Sequence, residues 1–84
     1  MKSHLVLTVN RLLAINMKNG QTIYIIPSVA LTEMKMEGLI GRSAKVSEII
    51  KRTDGSIRGC WAVLDGSPYE GEQEWYLPFS SFVE

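Results

Sequence analysis

Apolar and polar residues alternate in short runs, and turn-forming pairs separate the runs. Asn19-Gly20 lies between Leu13–Met17 and Thr22–Ile26, both rich in strand formers. A two-residue hairpin loop needs positive φ at both positions, which Asn and Gly tolerate best. With the loop there, Ile15 faces Tyr24 and Leu13 faces Ile26, good cross-strand pairs. Asp54-Gly55 is a second such signal, between the runs 44–52 and 57–64. A two-residue loop at that point sets Val46 opposite Val63, Ile49 opposite Cys60, Ile50 opposite Gly59 and Lys51 opposite Arg58. A turn region from Gly66 to Glu72 leads to a last strand over 73–77, which Pro78 ends because it has no N–H for a ladder.

The middle of the chain allows two readings. Residues 28–37 fit a short helix with Ser28 as N-cap, Gly38 as its stop, and Leu31 and Met34 on one face. Residues 32–36 also alternate acceptably as a strand, and the helical reading is the one adopted here. With turn signals at short intervals and no alternation of strands with long helices, the pattern predicts an all-β domain of about five strands. It is a small antiparallel barrel, closed or nearly closed, with at most one short helix or 3₁₀ turn. The whole chain, 1–84, forms that single domain.

Several stretches resemble an SH3-like barrel. They are Gly41-Arg42-Ser43-Ala44-Lys45-Val46, the Asp54-Gly55 hairpin, Gly59-Cys60-Trp61-Ala62-Val63, and the run from Glu74 through Trp75, Tyr76, Leu77, Pro78, Phe79, Ser80 and Ser81 to Phe82 and Val83. In that family an aromatic strand meets a proline, a one-turn 3₁₀ helix and a last aromatic-valine strand, so the resemblance, over roughly residues 39–83, implies the same ending here. SH3 domains that bind proline-rich ligands open on an Ala-Leu-Tyr-Asp-Tyr-like strand and an acidic loop. Residues 5–17 have neither, so the resemblance implies the fold rather than that ligand.

Composition narrows the function classes. Of 84 residues, 45% are apolar and 21% charged, a globular profile, and nine bases balance nine acids. No apolar run approaches the about 20 residues of a membrane span. Cys60 is the single cysteine, which excludes an intrachain disulfide and fits a reducing, cytoplasmic setting. The N-terminal apolar stretch is too short and interrupted for a signal peptide, and Lys2 excludes N-myristoylation.

Candidate chemistry is sparse. His4, the one histidine, sits near the chain end without a visible orienting partner, and Cys60 lies in an apolar strand, where it reads as a small buried hydrophobe. One Cys and one His cannot build a zinc site. Glu70, Glu72 and Glu74 alternate and would hold a cation only loosely; they read as a solvated edge. The segment Gly38–Ser43 lacks the lysine and glycine spacing of a phosphate-binding loop. We therefore expect no enzymatic activity, no metal and no cofactor.

Charge and aromatics are distributed unevenly. Residues 1–63 hold nine bases and four acids, net +5, whereas residues 64–84 hold five acids and no base, net −5. Trp61 and five further aromatics, Tyr69, Trp75, Tyr76, Phe79 and Phe82, fall in the last 24 residues. A core of this size takes about three or four of them. Trp61, mid-strand beside Cys60, Ala62 and Val63, is expected to be one. Trp75 and Tyr76 are adjacent, so one faces the core and the other solvent. Aromatics edged by carboxylates suit a peptide with basic and apolar groups. The expected binding residues are Tyr69, Glu70, Glu72, Glu74, Trp75, Tyr76, Pro78 and Phe82, with a protein or peptide partner. The alternative is a nucleic-acid module using Lys45, Lys51, Arg52 and Arg58, where Lys45 and Lys51 share a face unless a bulge intervenes. The acidic C-terminal loop can also fold over those bases and neutralise them without any partner. No membrane partner is expected.

Overall fold

The computed structural model describes residues 17–84. Five strands, β1 (Thr22–Ile25), β2 (Ser43–Lys51), β3 (Ile57–Leu64), β4 (Glu74–Pro78) and β5 (Phe82–Val83), form one antiparallel sheet in the order β4-β3-β2-β1-β5. The expected all-β class is observed, but the barrel is not closed: β4 and β5 are the ends of the sheet. No helix among the described residues is long and apolar enough to cross a membrane.

The Asp54-Gly55 hairpin forms with a three-residue loop rather than two. Arg52 N–H donates to Ser56 O at 2.8 Å and Gly55 N–H to Arg52 O at 3.0 Å, leaving Thr53, Asp54 and Gly55 as the loop, with positive φ at Gly55 alone. The extra residue pairs Lys51 with Ile57, not with Arg58. Arg58 is then skipped as a bulge, which restores the expected Ile50–Gly59 and Ile49–Cys60 pairs. A second bulge skips Ser47, so Val46 meets Ala62 rather than Val63, and Lys45 meets Val63. Each bulge reverses the alternation beyond it. By ladder position Lys45 therefore lies on the outer face and Lys51 does not, and the expected shared face is lost.

The reversal also decides Trp61. Cys60, Ala62 and Leu64 point inward and are buried, so Trp61 and Val63 point outward, at 40% and 39% exposure. The expectation of a buried Trp61 is thus overturned. The core is mainly aliphatic: Ile23, Ile25, Leu31, Leu39, Ala44, Val46, Ile57, Leu64 and Leu77 surround Cys60, with Phe82 its fully buried aromatic and Tyr69, Trp75 and Phe79 packed partly against it.

The short helix α1 (Val29–Glu33) starts as expected, with Ser28 Oγ accepting from Leu31 N–H at 3.1 Å. It stops earlier than Gly38. Lys35 takes the left-handed conformation (φ 57°) that ends the helix, and Gly38 lies in a 3₁₀ turn over Glu37–Leu39. Leu31 is buried while Met34, expected on the same face, is exposed; Met36 takes the inward position. Pro78, the last residue of β4, leads into a 3₁₀ turn, Phe79–Ser81, and then β5. At Asn19-Gly20 a turn forms, but only Gly20 has positive φ. Leu13 and Ile15, the expected partners of β1, lie outside the described residues, and Tyr24 pairs with Ser43 on one side and Val83 on the other.

Candidate functional site

Strand alternation divides the C-terminal aromatics between two faces. Trp75, opposite buried Ala62, turns inward. Its indole N–H donates to Glu72 O at 2.9 Å, and its ring stands edge-on to Tyr69 with centroids 5.5 Å apart. Tyr69 lies against Gly38, where a Cβ would come within 2.5 Å of the ring. This pair ties the β3–β4 loop to the 3₁₀ turn before β2, and both rings are half-buried. The loop itself ends in a two-residue turn, Glu70-Gly71, with positive φ at both (48° and 83°) and reciprocal Tyr69–Glu72 backbone bonds of 2.9 Å. It is the primed turn that the sequence suggested at Asn19-Gly20.

Tyr76 takes the opposite face, as the adjacency of Trp75 and Tyr76 required. It pairs with Trp61, the rings edge-to-face with centroids 5.8 Å apart. Its phenol also lies over Gly59, whose missing side chain makes the space. Row by row, the outer face carries Lys45, Val63 and Glu74, then Glu48, Trp61 and Tyr76, then Ile50, Gly59 and Pro78. Trp61, on the solvent side, and half-buried Tyr76 thus stand between two carboxylates. The Ser47 bulge aims its hydroxyl at Glu74 Oε2, and Glu48 has no ion-pair partner among the described residues. Exposed Glu70 and Glu72 continue the acidic rim, their carboxylates without a partner among the described residues.

Of the eight expected binding residues, Tyr76, Glu74 and Pro78 share the outer face, Glu70 and Glu72 lie on the adjoining loop, and Tyr69 and Trp75 pack inward. Phe82, at 1% exposure, is core and cannot touch a partner in the folded chain. Trp61 and Glu48 were missed by sequence reasoning. Parity sets Trp61 with Val63 against Cys60, Ala62 and Leu64, and the size of the indole against an aliphatic interior is what marks its set as the outer one.

The basic residues do not form one patch. Lys45 Nζ contacts Asp65 Oδ1 at 3.0 Å, the one ion pair among the described residues. Ser43 Oγ donates to Asp65 Oδ2 at 2.7 Å, and this bond, with the Lys45 contact, holds the Asp65 carboxyl below the ordinary carboxylate value. Arg42 donates to the backbone carbonyls of Asp65 and Ser67. The acidic segment therefore folds onto the bases at this end of β2, through Asp65. Lys51, Arg52 and Arg58 lie at the other end, where Arg52 donates to Ile57 O at 3.1 Å and Asp54 adds a carboxylate held below its usual value by Ser56. Cys60 is enclosed, and burial pushes its thiol up to about 12. No group of three or more potential metal ligands occurs among the described residues, and His4 lies outside them.

Comparison with protein-family models, curated proteins and solved structures yields no significant match.

Proposed function

We propose that this chain is a small, non-enzymatic interaction module of the SH3-like kind that binds a protein or peptide segment on the outer face of β2, β3 and β4. The strand order and the Pro78–3₁₀–β5 ending support the SH3-like reading. The observation that carries the binding reading is the pairing of solvent-facing Trp61 with half-buried Tyr76 on the outer face, with Glu48 and Glu74 beside them and no ion-pair partner for either carboxylate among the described residues. Large aromatics on a solvent face supply contact area, and unpaired carboxylates at the rim favour a segment carrying Lys or Arg. A cytoplasmic setting suits the buried, reduced Cys60.

The test is selection from a random peptide library against the parent chain, followed by affinity measurement for two double variants. Basic, apolar peptides are expected. Trp61→Ala with Tyr76→Ala should weaken them by at least about 2 kcal/mol, roughly thirtyfold in Kd. Lys51→Glu with Arg58→Glu should change affinity little. If the chain instead binds an oligonucleotide with steep salt dependence, and only the charge-reversal variant loses it, the nucleic-acid alternative replaces this reading.

A further inference from the structure

β4 ends the sheet, and its ladder shows which way its backbone points. Leu64 N–H donates to Gln73 O at 2.8 Å, so Leu64 and Gln73 are a hydrogen-bonded pair. Such pairs alternate along an antiparallel ladder. With Ala62 opposite Trp75 and Cys60 opposite Leu77, the backbone of Gln73, Trp75 and Leu77 faces β3. The N–H and C=O groups of Glu74 and Tyr76 therefore face away from the sheet, and no backbone group of the described residues takes them. Unpaired edges of this kind template another strand unless lysines, prolines, bulges or inward charges blunt them. From Glu74 to Leu77, β4 carries one charged side chain, Glu74, and no lysine, proline or inward charge; its register with β3 runs without a shift, and Pro78 blocks only the far end.

The edge and the aromatic face meet on the same two residues. Glu74 and Tyr76 present their side chains to the outer face and their free backbone groups to the edge. We infer that the partner docks as a sixth strand on β4, as an extended segment with Lys or Arg opposite Glu74 and an apolar residue two positions away opposite Tyr76. This rests on the interaction reading above and adds its geometry. Two backbone-facing residues give main-chain bonds, and the side chains on the outer face give sequence preference. Charge selects the occupant. Glu70, Glu72 and Glu74 bring three acids to this edge, none of them in an ion pair among the described residues, which suits a basic strand. A second copy of the chain would bring the same three acids to the shared edge, against like charge.

The probe is a synthetic peptide repeating Lys-Thr-Val-Thr, with a Glu-for-Lys version and a version N-methylated along one edge. The readouts are amide hydrogen exchange and ring signals by NMR, on the full chain. In the free chain the Glu74 and Tyr76 amides should exchange rapidly, and saturating Lys peptide should slow both by at least about tenfold. N-methylation should weaken binding by about tenfold, the scale of one lost backbone bond, and the Glu version should bind more weakly still. If the peptide shifts the Trp61 and Tyr76 ring signals while both amides exchange as before, docking runs across the face; strand addition is overturned and the interaction reading stands. If no version binds and the rings are unmoved, both are overturned. Protection already present in the free chain at every concentration would mean that residues 1–16 occupy the edge. Protection that grows with concentration alongside a dimer in light scattering would mean a second copy. Either result overturns the proposal.

Discussion

Gly59→Ala tests the register on which the outer face depends. A Cβ at this position would lie 2.4 Å from the Leu77 carbonyl oxygen, 2.6 Å from the Tyr76 hydroxyl and 2.8 Å from Tyr76 Cζ. All are far inside the about 3.5–4 Å of ordinary contact. The tyrosine ring can swing away, but Leu77 O is held in the β3–β4 ladder and cannot retreat without loosening it. Inserting a methyl group into such a site costs about 1–3 kcal/mol. Gly59 has no positive φ, so alanine adds no conformational strain and instead returns about 0.4–1 kcal/mol by restricting the unfolded chain. The net expectation is a loss of about 1–2 kcal/mol, a fall in Tm of roughly 5–15 °C in a domain of this size. Urea unfolding followed by tryptophan fluorescence measures it. The double variant with Tyr76→Ala should remain about 1 kcal/mol below Tyr76→Ala alone, because only the ring contacts are relieved. Gly38→Ala is the contrast. There the near atoms all belong to the Tyr69 ring, so the loss should disappear in a Tyr69→Ala background. Parent-like stability for Gly59→Ala, or full rescue by Tyr76→Ala, would refute the placement of Leu77 O and with it the outward position of Tyr76.

Ser28→Ala should lower stability by about 1–2 kcal/mol in chemical denaturation, since it removes the α1 cap and leaves the buried Ser81 hydroxyl without its 2.8 Å partner. Glu70→Asn should raise stability by about 0.5–1 kcal/mol in the same assay, because Glu70 holds φ at 48° in a turn that asparagine tolerates better. Asp65 has a folded pKa below its unfolded value, so its contribution is present above the unfolded carboxylate pKa and fades as pH falls through the folded one. The stability gap between parent and Asp65→Asn should accordingly be full near neutral pH and close below about pH 4 in melting curves.

Much of the fold was legible where local chemistry decides it. The Ser28 cap, the Ile49–Cys60 and Ile50–Gly59 pairs, and the succession of β4, Pro78, 3₁₀ turn and β5 all follow from residue types at short range. What escaped depended on backbone details with no residue signature. Thr53 joins the loop because a type I turn followed by a left-handed Gly55 suits Asp54-Gly55 as well as a primed turn does. Ser47 and Arg58 become bulges, and neither serine nor arginine marks a bulge in a sequence. Lys35 and Glu70, both poor residues for positive φ, adopt it at the end of α1 and in the Glu70-Gly71 turn, and neither residue type signals it.

The outer face shows why only some of the expected binding residues lie together. Trp75 and Tyr76 had to diverge on a strand, and which one faced inward depended on β3. That strand is apolar on both faces: Cys60, Ala62 and Leu64 are no more core-like by composition than Trp61 and Val63. Size settles the matter. The interior is built of aliphatic side chains and has room for Phe82 complete and for Tyr69, Trp75 and Phe79 in part. A fifth large ring pointing inward from the middle of β3 would displace several of them. Trp61 therefore goes outward, Gly59 leaves space for Tyr76 to lie beside it, and the aromatic area the core cannot hold is gathered on one face. The same strand order that puts this face outside also leaves the backbone of Glu74 and Tyr76 at the sheet edge, so the Trp61 and Tyr76 rings stand next to hydrogen-bonding groups that no described backbone group takes. A sheet closed through β4 would have kept the rings and lost the edge.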